Sequence, residues 1–366
     1  MIIGTVVIAI IFQSQNDRFL STVNLVNLLL QASVFMLIGM GQVFVLLLGE
    51  IDLSLGFVAG IGGVVVTELV QPGVHWPWWA AILAALAVTA AIGFLQGTLV
   101  TRLRLPYFVV TLAGLLGWQG VMIILLGAGT INAISNGSLT PLTGWVLAAA
   151  VVALFTMITF RSDGRRRGSG LAAPPVWLSW LKVAVAAVAA TALLLITNAD
   201  RGVGAFELRG MPYVIPVVFG VLLLWSFVLG RTRFGRYVYA IGGNAEAARR
   251  AGIALARVRT LAFTLAALTA GMGGIVYASR LRSMSTSFDG GTIVLYVVAT
   301  AVIGGTSLFG GRGHPLHAVL GGVVIAAIVN GMALLGLSAA IQLIATAIVL
   351  LASILVDVVV RRRGAP

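Results

Sequence analysis

Cysteine is absent from the 366 residues. That excludes disulfides, thiolate nucleophiles and cysteine-ligated metals, and carries no information about compartment. Charge is scarce: Asp, Glu, Lys and Arg make up 9% of the chain, against about 25% in a soluble domain. So few charges cannot cover a water-facing surface. Hydrophobic residues make up 60% and mean hydropathy is +1.09, so the chain belongs in a bilayer. Lysine is limited to Lys182, preceded by LSWL. No G-x-x-x-x-G-K-[ST] phosphate loop is possible, and the chain is no P-loop ATPase. Histidine occurs three times. His75 sits among Trp76, Trp78 and Trp79, an interfacial aromatic belt. His314 and His317 have i, i+3 spacing but no carboxylate beside them, and they flank Pro315. A loop or helix start fits them better than a metal site. The acidic residues lie at or near the ends of apolar segments, which disfavours proton coupling. Na⁺ sites made of backbone carbonyls stay open. No His/Asp/Glu or Ser/Lys constellation sits inside the apolar segments, so an intramembrane enzyme lacks its catalytic groups.

What is present is a series of long apolar windows. They fall near 1–13, 24–48, 53–71, 78–100, 107–127, 144–160, 176–197, 213–230, 259–279, 291–310, 315–335 and 338–358. About 20 apolar residues cross the hydrocarbon. The windows are continuous rather than alternating, which argues against a barrel. The expected fold is all-α: one polytopic integral membrane domain over 1–366, with about 10–12 transmembrane or re-entrant helices. The 45 glycines suit closely packed helices. Net charge is +13, and 22 of the 23 basic residues are Arg. With both termini cytoplasmic, 18 basic residues fall inside and 5 outside, as the positive-inside rule requires. The basic character is therefore an orientation label rather than a nucleic-acid footprint. The first window, Met1 to Phe12, lacks a basic flank and an Ala-x-Ala site, so it is no signal peptide. A shortened or misplaced start is the expected reason for its length.

Two loops stand out. Residues 161–175 (RSDGRRRGSGLAAPP) read as a flexible cytoplasmic linker. Residues 231–258 form a longer cytoplasmic stretch with a helix at about 244–252. Asn244 suits the N-cap, Glu246 the first turn, Arg249 and Arg250 the last turn, and Gly252 the left-handed cap. A helix this short is unstable alone. It docks on its own bundle or a partner, or lies on anionic lipid headgroups, and spacing does not choose.

A path for a neutral polar solute is also written in the windows. At about 100° per residue, Asn24, Asn27, Gln31 and Gln42 lie on one stripe of the second window, with Phe35 among them. Amides facing lipid would be costly. The stripe therefore faces a solute or makes interhelical hydrogen bonds. Thr111, Trp118 and Gln119 in the fifth window and Asn330 in the eleventh are further pathway candidates. Asn132 and Asn136 sit in an outer loop, solvated or facing a partner, and Arg280 and Arg282 follow the ninth window on the outer face, either pairing with acidic residues of a docking protein or forming an exposed edge. Glu50 and Asp52 occupy a turn, where the Asp52 carboxylate is expected to cap the next helix, whose Gly56, Gly60 and Gly63 invite close backbone approach. Gly304, Gly305, Gly310 and Gly311 mark a tight re-entrant turn.

Four stretches, taken in order, carry a resemblance. They are NLVNLLLQASVFMLIGMGQVFVLLLGEIDLSLG, LPYFVVTLAGLLGWQGV, GRYVYAIGGNAEAARRAGI and AVIGGTSLFGGRG. Together they resemble the permease subunits of bacterial ABC sugar importers, in the ribose/xylose-type branch, over most of the chain from Asn24 onward. Two positions depart: Glu50 stands where the family often has Gly, and Phe309 where a smaller residue is common. The resemblance implies a multi-pass protein of the bacterial plasma membrane, importing a monosaccharide, a pentose such as xylose, by alternating access. It implies a second permease copy, cytoplasmic ABC ATPase subunits that bind the ATP and Mg, and an extracytoplasmic sugar-binding protein. The chain itself would hold no cofactor and do no covalent chemistry. The segment carrying Gly243, Asn244, Glu246, Ala248, Arg249, Arg250 and Gly252 would be the helix that couples to the ATPase. The competing reading is a secondary transporter or facilitator for a small polar solute.

Overall fold

The structure is a computed structural model that describes residues 2–127, 130–132, 138–170, 172–202 and 207–348, with 351 and 355. Asn136, Asp357, Arg361, Arg362, Arg363 and the side chain of Asn132 lie outside the described residues. The helices are α1 (Ile2–Gln15), α2 (Thr22–Leu47), α3 (Leu55–Leu69), α4 (Trp78–Arg102), α5 (Tyr107–Leu126), α6 (Pro141–Gly168) and α7 (Val176–Asn198). They continue with α8 (Val214–Arg231), α9 (Arg233–Gly243), α10 (Ala245–Arg250), α11 (Leu255–Leu281), α12 (Gly290–Ile303) and α13 (Pro315–Leu334). A last apolar helix, α14, covers Ala339–Ile348. Two short strands, β1 (Ile131–Asn132) and β2 (Ser283–Met284), pair antiparallel. Among the described residues, α2, α4, α5, α6, α7, α8, α11 and α13 are long and apolar enough to cross a membrane. Each of the twelve apolar windows holds a helix, and the fold is all-α and polytopic.

The chain forms two compact units. The first comprises Met1–Leu20, Asn27–Asn136 and Val214–Pro366. At its centre is α3, about 22 Å long and so short of the hydrocarbon thickness. Being too short to span, α3 is wrapped by protein, and its residues from Leu55 to Val64 are all buried. Neighbouring backbones touch it where it has no side chains. A Cβ on Gly56 would lie 1.8 Å from the Gly290 carbonyl oxygen of α12, and one on Gly274 of α11 would lie 1.7 Å from that of Ala59. Contact this close maximises dispersion between helices in a solvent where burial from water supplies no drive. Elsewhere in the unit, Phe44 of α2 meets Trp225 of α8 edge-on at 5.2 Å.

The second unit comprises Ser21–Val26 and Gly137–Tyr213. Its body is the pair α6 and α7. Thr140 accepts from the Thr143 N–H and Pro141 opens α6, a favourable helix start. Deep in the pair, the Ser179 hydroxyl donates to Asp163 Oδ2 at 2.6 Å, with both residues buried. Most of α6 and α7 is apolar and exposed. The flexible linker expected over 161–175 needs correction, because α6 continues to Gly168. Arg165, Arg166 and Arg167 occupy its last turn, where cations complement the negative helix end. The helix stops where Gly and Pro accumulate, and Arg167 donates to the Pro174 carbonyl at 2.8 Å.

Candidate functional site

The first half of the site is the pair α9–α10. In α9, Val238 and Ile241 are buried and Phe234 is partly so, while Arg233, Arg236 and Tyr237 are exposed. Thr232 starts α9 by accepting from the Gly235 N–H at 3.2 Å. Its far end is pinned to two other segments. A Cβ on Gly242 would lie 1.7 Å from the Leu47 carbonyl oxygen and 2.6 Å from Gly311 N. Gly311 N–H donates to that same Leu47 carbonyl at 2.9 Å, and Tyr239 donates to the Gly313 carbonyl at 2.7 Å. The residue that must be glycine here is therefore Gly242, while Gly243 is exposed and a Cβ on it would meet nothing within 4 Å.

Helix α10 is closed at both ends. Asn244 Oδ1 accepts from the Ala247 N–H at 2.9 Å. At the other end Gly252 takes φ 79°, with Gly252 N–H donating to Arg249 and Ile253 N–H to Ala248, a Schellman closure. Glu246 pairs with Arg249 and, at 3.1 Å, with Arg250. The hydrogen bond from Arg249 holds the Glu246 carboxyl below its ordinary value. Ala248 is buried against this chain's own core, so it is not on the outer face. The surface offered outward consists of Glu246, Ala247, Arg249 and Arg250.

The second half is the turn between α2 and α3. Gln42 brackets the backbone of Asp52, its amide nitrogen donating to the Asp52 carbonyl at 3.1 Å and its oxygen accepting from the Asp52 N–H at 3.2 Å. Asp52 does not bond a first-turn N–H of α3, contrary to expectation. Its Oδ1 accepts from Ser54 N–H at 2.9 Å and Ser54 Oγ at 2.6 Å, and Ser54 takes the N-cap position. Asp52 reaches Ser54 because a carboxylate two residues upstream closes a local turn first. Gln96 Nε2 of α4 donates to Ser54 Oγ at 2.8 Å. Thr111 of α5 is fully buried and donates to the Ile51 carbonyl at 3.4 Å. Glu50 forms an ion pair with Arg259 of α11 at 3.0 Å, the carboxylate 5% exposed and the guanidinium 31%. Burial pushes the Glu50 carboxyl up, and Arg259 draws it back down.

Two cavities open within the first unit. One, of about 280 Å³, is lined by Gln31 and Phe35 of α2, Tyr277 and Arg280 of α11, and Asp289, Thr292 and Tyr296 around the start of α12. Phe35 and Tyr296 meet edge-on at 5.6 Å. Asp289 caps α12 by accepting from the Thr292 N–H at 3.0 Å. Aromatic faces beside an amide, a carboxylate and a guanidinium suit a small polyhydroxylated solute. The other, of about 350 Å³, lies against Gln96, Gly114 and Trp118, with otherwise apolar walls.

The predicted solute stripe is thus divided. Gln31 and Phe35 reach the first cavity, Gln42 serves the Asp52 backbone, and Asn27 is exposed. Asn24 is buried in the first turn of α2. Trp118 lines the second cavity, while Gln119 and Asn330 are half-buried and line neither. Gly304, Gly305, Gly310 and Gly311 form the turn between α12 and α13, with positive φ at the last three. His314 caps α13, accepting from the Leu316 N–H at 3.2 Å, and His317 Nδ1 contacts Thr306 at 3.3 Å. No cluster of three metal-ligating side chains occurs among the described residues. Tyr296, Gln96 and Arg259 were not anticipated. Each is a single polar or aromatic residue whose partner lies far along the chain, which periodicity does not reveal.

Comparison with known proteins is consistent over the full length. The profile of the family described as branched-chain amino acid transport system / permease component matches residues 24–354. The xylose transport system permease protein XylH of Escherichia coli (strain K12) is 32% identical over 373 residues, covering 100% of this chain and 92% of its own. XylH of Haemophilus influenzae is 31% identical, covering 98% of this chain and 95% of its own. The ribose import permease protein RbsC of Escherichia coli (strain K12) is 30% identical, covering 97% and 92%. No solved structure matches.

Proposed function

This chain belongs to the family of branched-chain amino acid transport system permease components, and on that premise we propose that it is the membrane-spanning subunit of an ATP-binding cassette importer for a monosaccharide, a pentose such as xylose. The observation that carries the reading is the 32% identity to a xylose permease across the whole chain. The cavity lined by Gln31, Phe35 and Tyr296 supports it, because amides and aromatic faces bind neutral sugars weakly enough for release.

Energy comes from outside the chain, since its only lysine lies in no phosphate loop. Cytoplasmic ATPase subunits hold ATP and Mg. A second copy of this chain completes the pathway, and an extracytoplasmic binding protein delivers the sugar and sets its identity. The chain works by alternating access in the bacterial inner membrane and does no covalent chemistry. The exposed face of α10, with Ala247, Arg249 and Arg250, is the surface that meets the ATPase.

The test is copurification with the candidate ATPase, followed by ATP hydrolysis with the binding protein added. Xylose or ribose should stimulate hydrolysis in the reconstituted complex. Sugar uptake into vesicles that lack any ATPase subunit would instead establish a secondary transporter and end the importer reading.

A further inference from the structure

Glu50 is an expensive residue in its position. Its carboxylate is 5% exposed and pairs with Arg259, and among the described residues its Oε2 has no hydrogen-bond partner. A buried ion pair contributes little to stability once desolvation is subtracted, so stability does not account for it. Its location suggests another role. Arg259 lies early in α11, and α10 is closed onto the connection to α11 by the Ile253 N–H to Ala248 bond. Glu50 lies two residues before Asp52, whose backbone is held by Gln42 and whose carboxylate holds Ser54. Ser54 in turn anchors Gln96, which lines the cavity beside Trp118.

We propose that the Glu50–Arg259 ion pair is a positioning link, through which displacement of α10 and the start of α11 resets the Gln42–Asp52–Ser54–Gln96 turn beside the Trp118 cavity. The proposal rests on the importer reading given above. It adds to that reading a specific route between the ATPase-facing helix and the bundle. A charged contact suits this task because it resists separation along one direction while tolerating rotation, and because the unpaired state is costly inside protein. The other joint of the segment, where Gly242 touches Leu47, is a backbone contact that locates the segment without charge.

The experiment uses the full complex with ATPase and binding protein in vesicles. It compares the parent with Glu50→Gln, Arg259→Gln and the charge-swapped pair Glu50→Arg with Arg259→Glu. The readout is sugar taken up per ATP hydrolysed, with ATPase copurification measured alongside. Each single variant should still copurify the ATPase, while the ratio falls about 5-fold or more. The swapped pair should return the ratio to within about 2-fold of the parent. Singles that keep the parent ratio overturn the link, as does a swapped pair that stays as low as the singles. If the singles fail to accumulate in the membrane, the swapped pair decides alone. Recovery of both accumulation and ratio supports the link, and failure of either overturns it. A parent complex without sugar-stimulated hydrolysis removes the importer reading and the link with it, whereas a working parent with indifferent variants removes the link alone.

Discussion

The cluster around α3 and the pair α6–α7 are built from the same apolar alphabet and held in opposite ways. Around α3, glycines bring backbones into contact, as Gly56 does with Gly290 and Gly274 with Ala59. Buried polar side chains there form a connected set, from Gln42 through Asp52 and Ser54 to Gln96. In α6–α7, most side chains are exposed apolar groups, and one buried hydrogen bond, Ser179 to Asp163, stands out. The α3 cluster is thus specified by protein contacts, with little freedom at any position. The α6–α7 pair is specified mainly by being apolar and helical, which suits a lipid-facing element. The networked region is where function should be most sensitive.

The strongest way to break this contrast is substitution at a glycine contact. Gly274→Val should abolish extractable folded protein, since the new Cβ would start 1.7 Å from the Ala59 carbonyl oxygen. The cost lies well above the about 1–3 kcal/mol of ordinary overpacking. Gly164→Ala in α6, with nothing within 4 Å of the added carbon, should leave size-exclusion profiles unchanged and raise stability slightly, by up to about 1 kcal/mol. Equal behaviour of the two would remove the distinction.

A smaller effect is expected from Gln96→Leu. It takes the amide from Ser54 Oγ and strips a partner from the buried network, at about 1–3 kcal/mol. Thermal melting in detergent should register it, and uptake should fall with it. Ser179→Ala removes the hydroxyl bonded to Asp163 and should cost a similar about 1–3 kcal/mol in melting while leaving uptake within about 2-fold of the parent. Loss of transport in Ser179→Ala alone would show that the α6–α7 pair takes part in the mechanism.

Asn244→Ala should cost about 1 kcal/mol, confined to α10, through loss of the N-cap bond to Ala247. Faster amide exchange across 245–250 would report it, together with weaker ATPase copurification. The smallest effect concerns Glu246. Because its carboxyl is held below its ordinary value by Arg249, its contribution is present above the unfolded pKa and is lost as pH falls through the lowered folded one. Copurification should therefore be flat between about pH 6 and 8, and a step in that range would assign the pairing to another group.

Much of this architecture was legible in the sequence, for a physical reason. A span must be continuously apolar, so each window announces its helix whatever it packs against. Helix α9 was not read from the sequence, although Phe234, Val238 and Ile241 repeat at helical spacing, because a short amphipathic run beside long spans is easily absorbed into a loop. The roles of individual polar groups were harder. Periodicity puts Gln31 and Gln42 on one stripe, but only the fold reveals that one lines a cavity and the other holds the backbone of Asp52. Likewise Gly242 and Gly243 look alike in sequence, and the carbonyl of Leu47, nearly two hundred residues upstream, distinguishes them. Ala248 faces inward because α10 is set by its neighbours α9 and α11 rather than by its own six residues.

The junction of Leu47, Gly242 and Gly311 also bears on how the protein is made. Its pieces leave the ribosome far apart in time. At about 5–20 residues per second, Gly311 follows Leu47 by roughly 13–50 s. Until then the Leu47 carbonyl lacks the Gly311 N–H, and α9 has no Gly313 carbonyl for Tyr239. A ribosome-bound or truncated chain can thus insert its spans while still presenting an unfinished α9–α10 face. Completion of that joint therefore waits for Gly311 and Gly313, so the packing that fixes the far end of α9 is among the last contacts the growing chain can make.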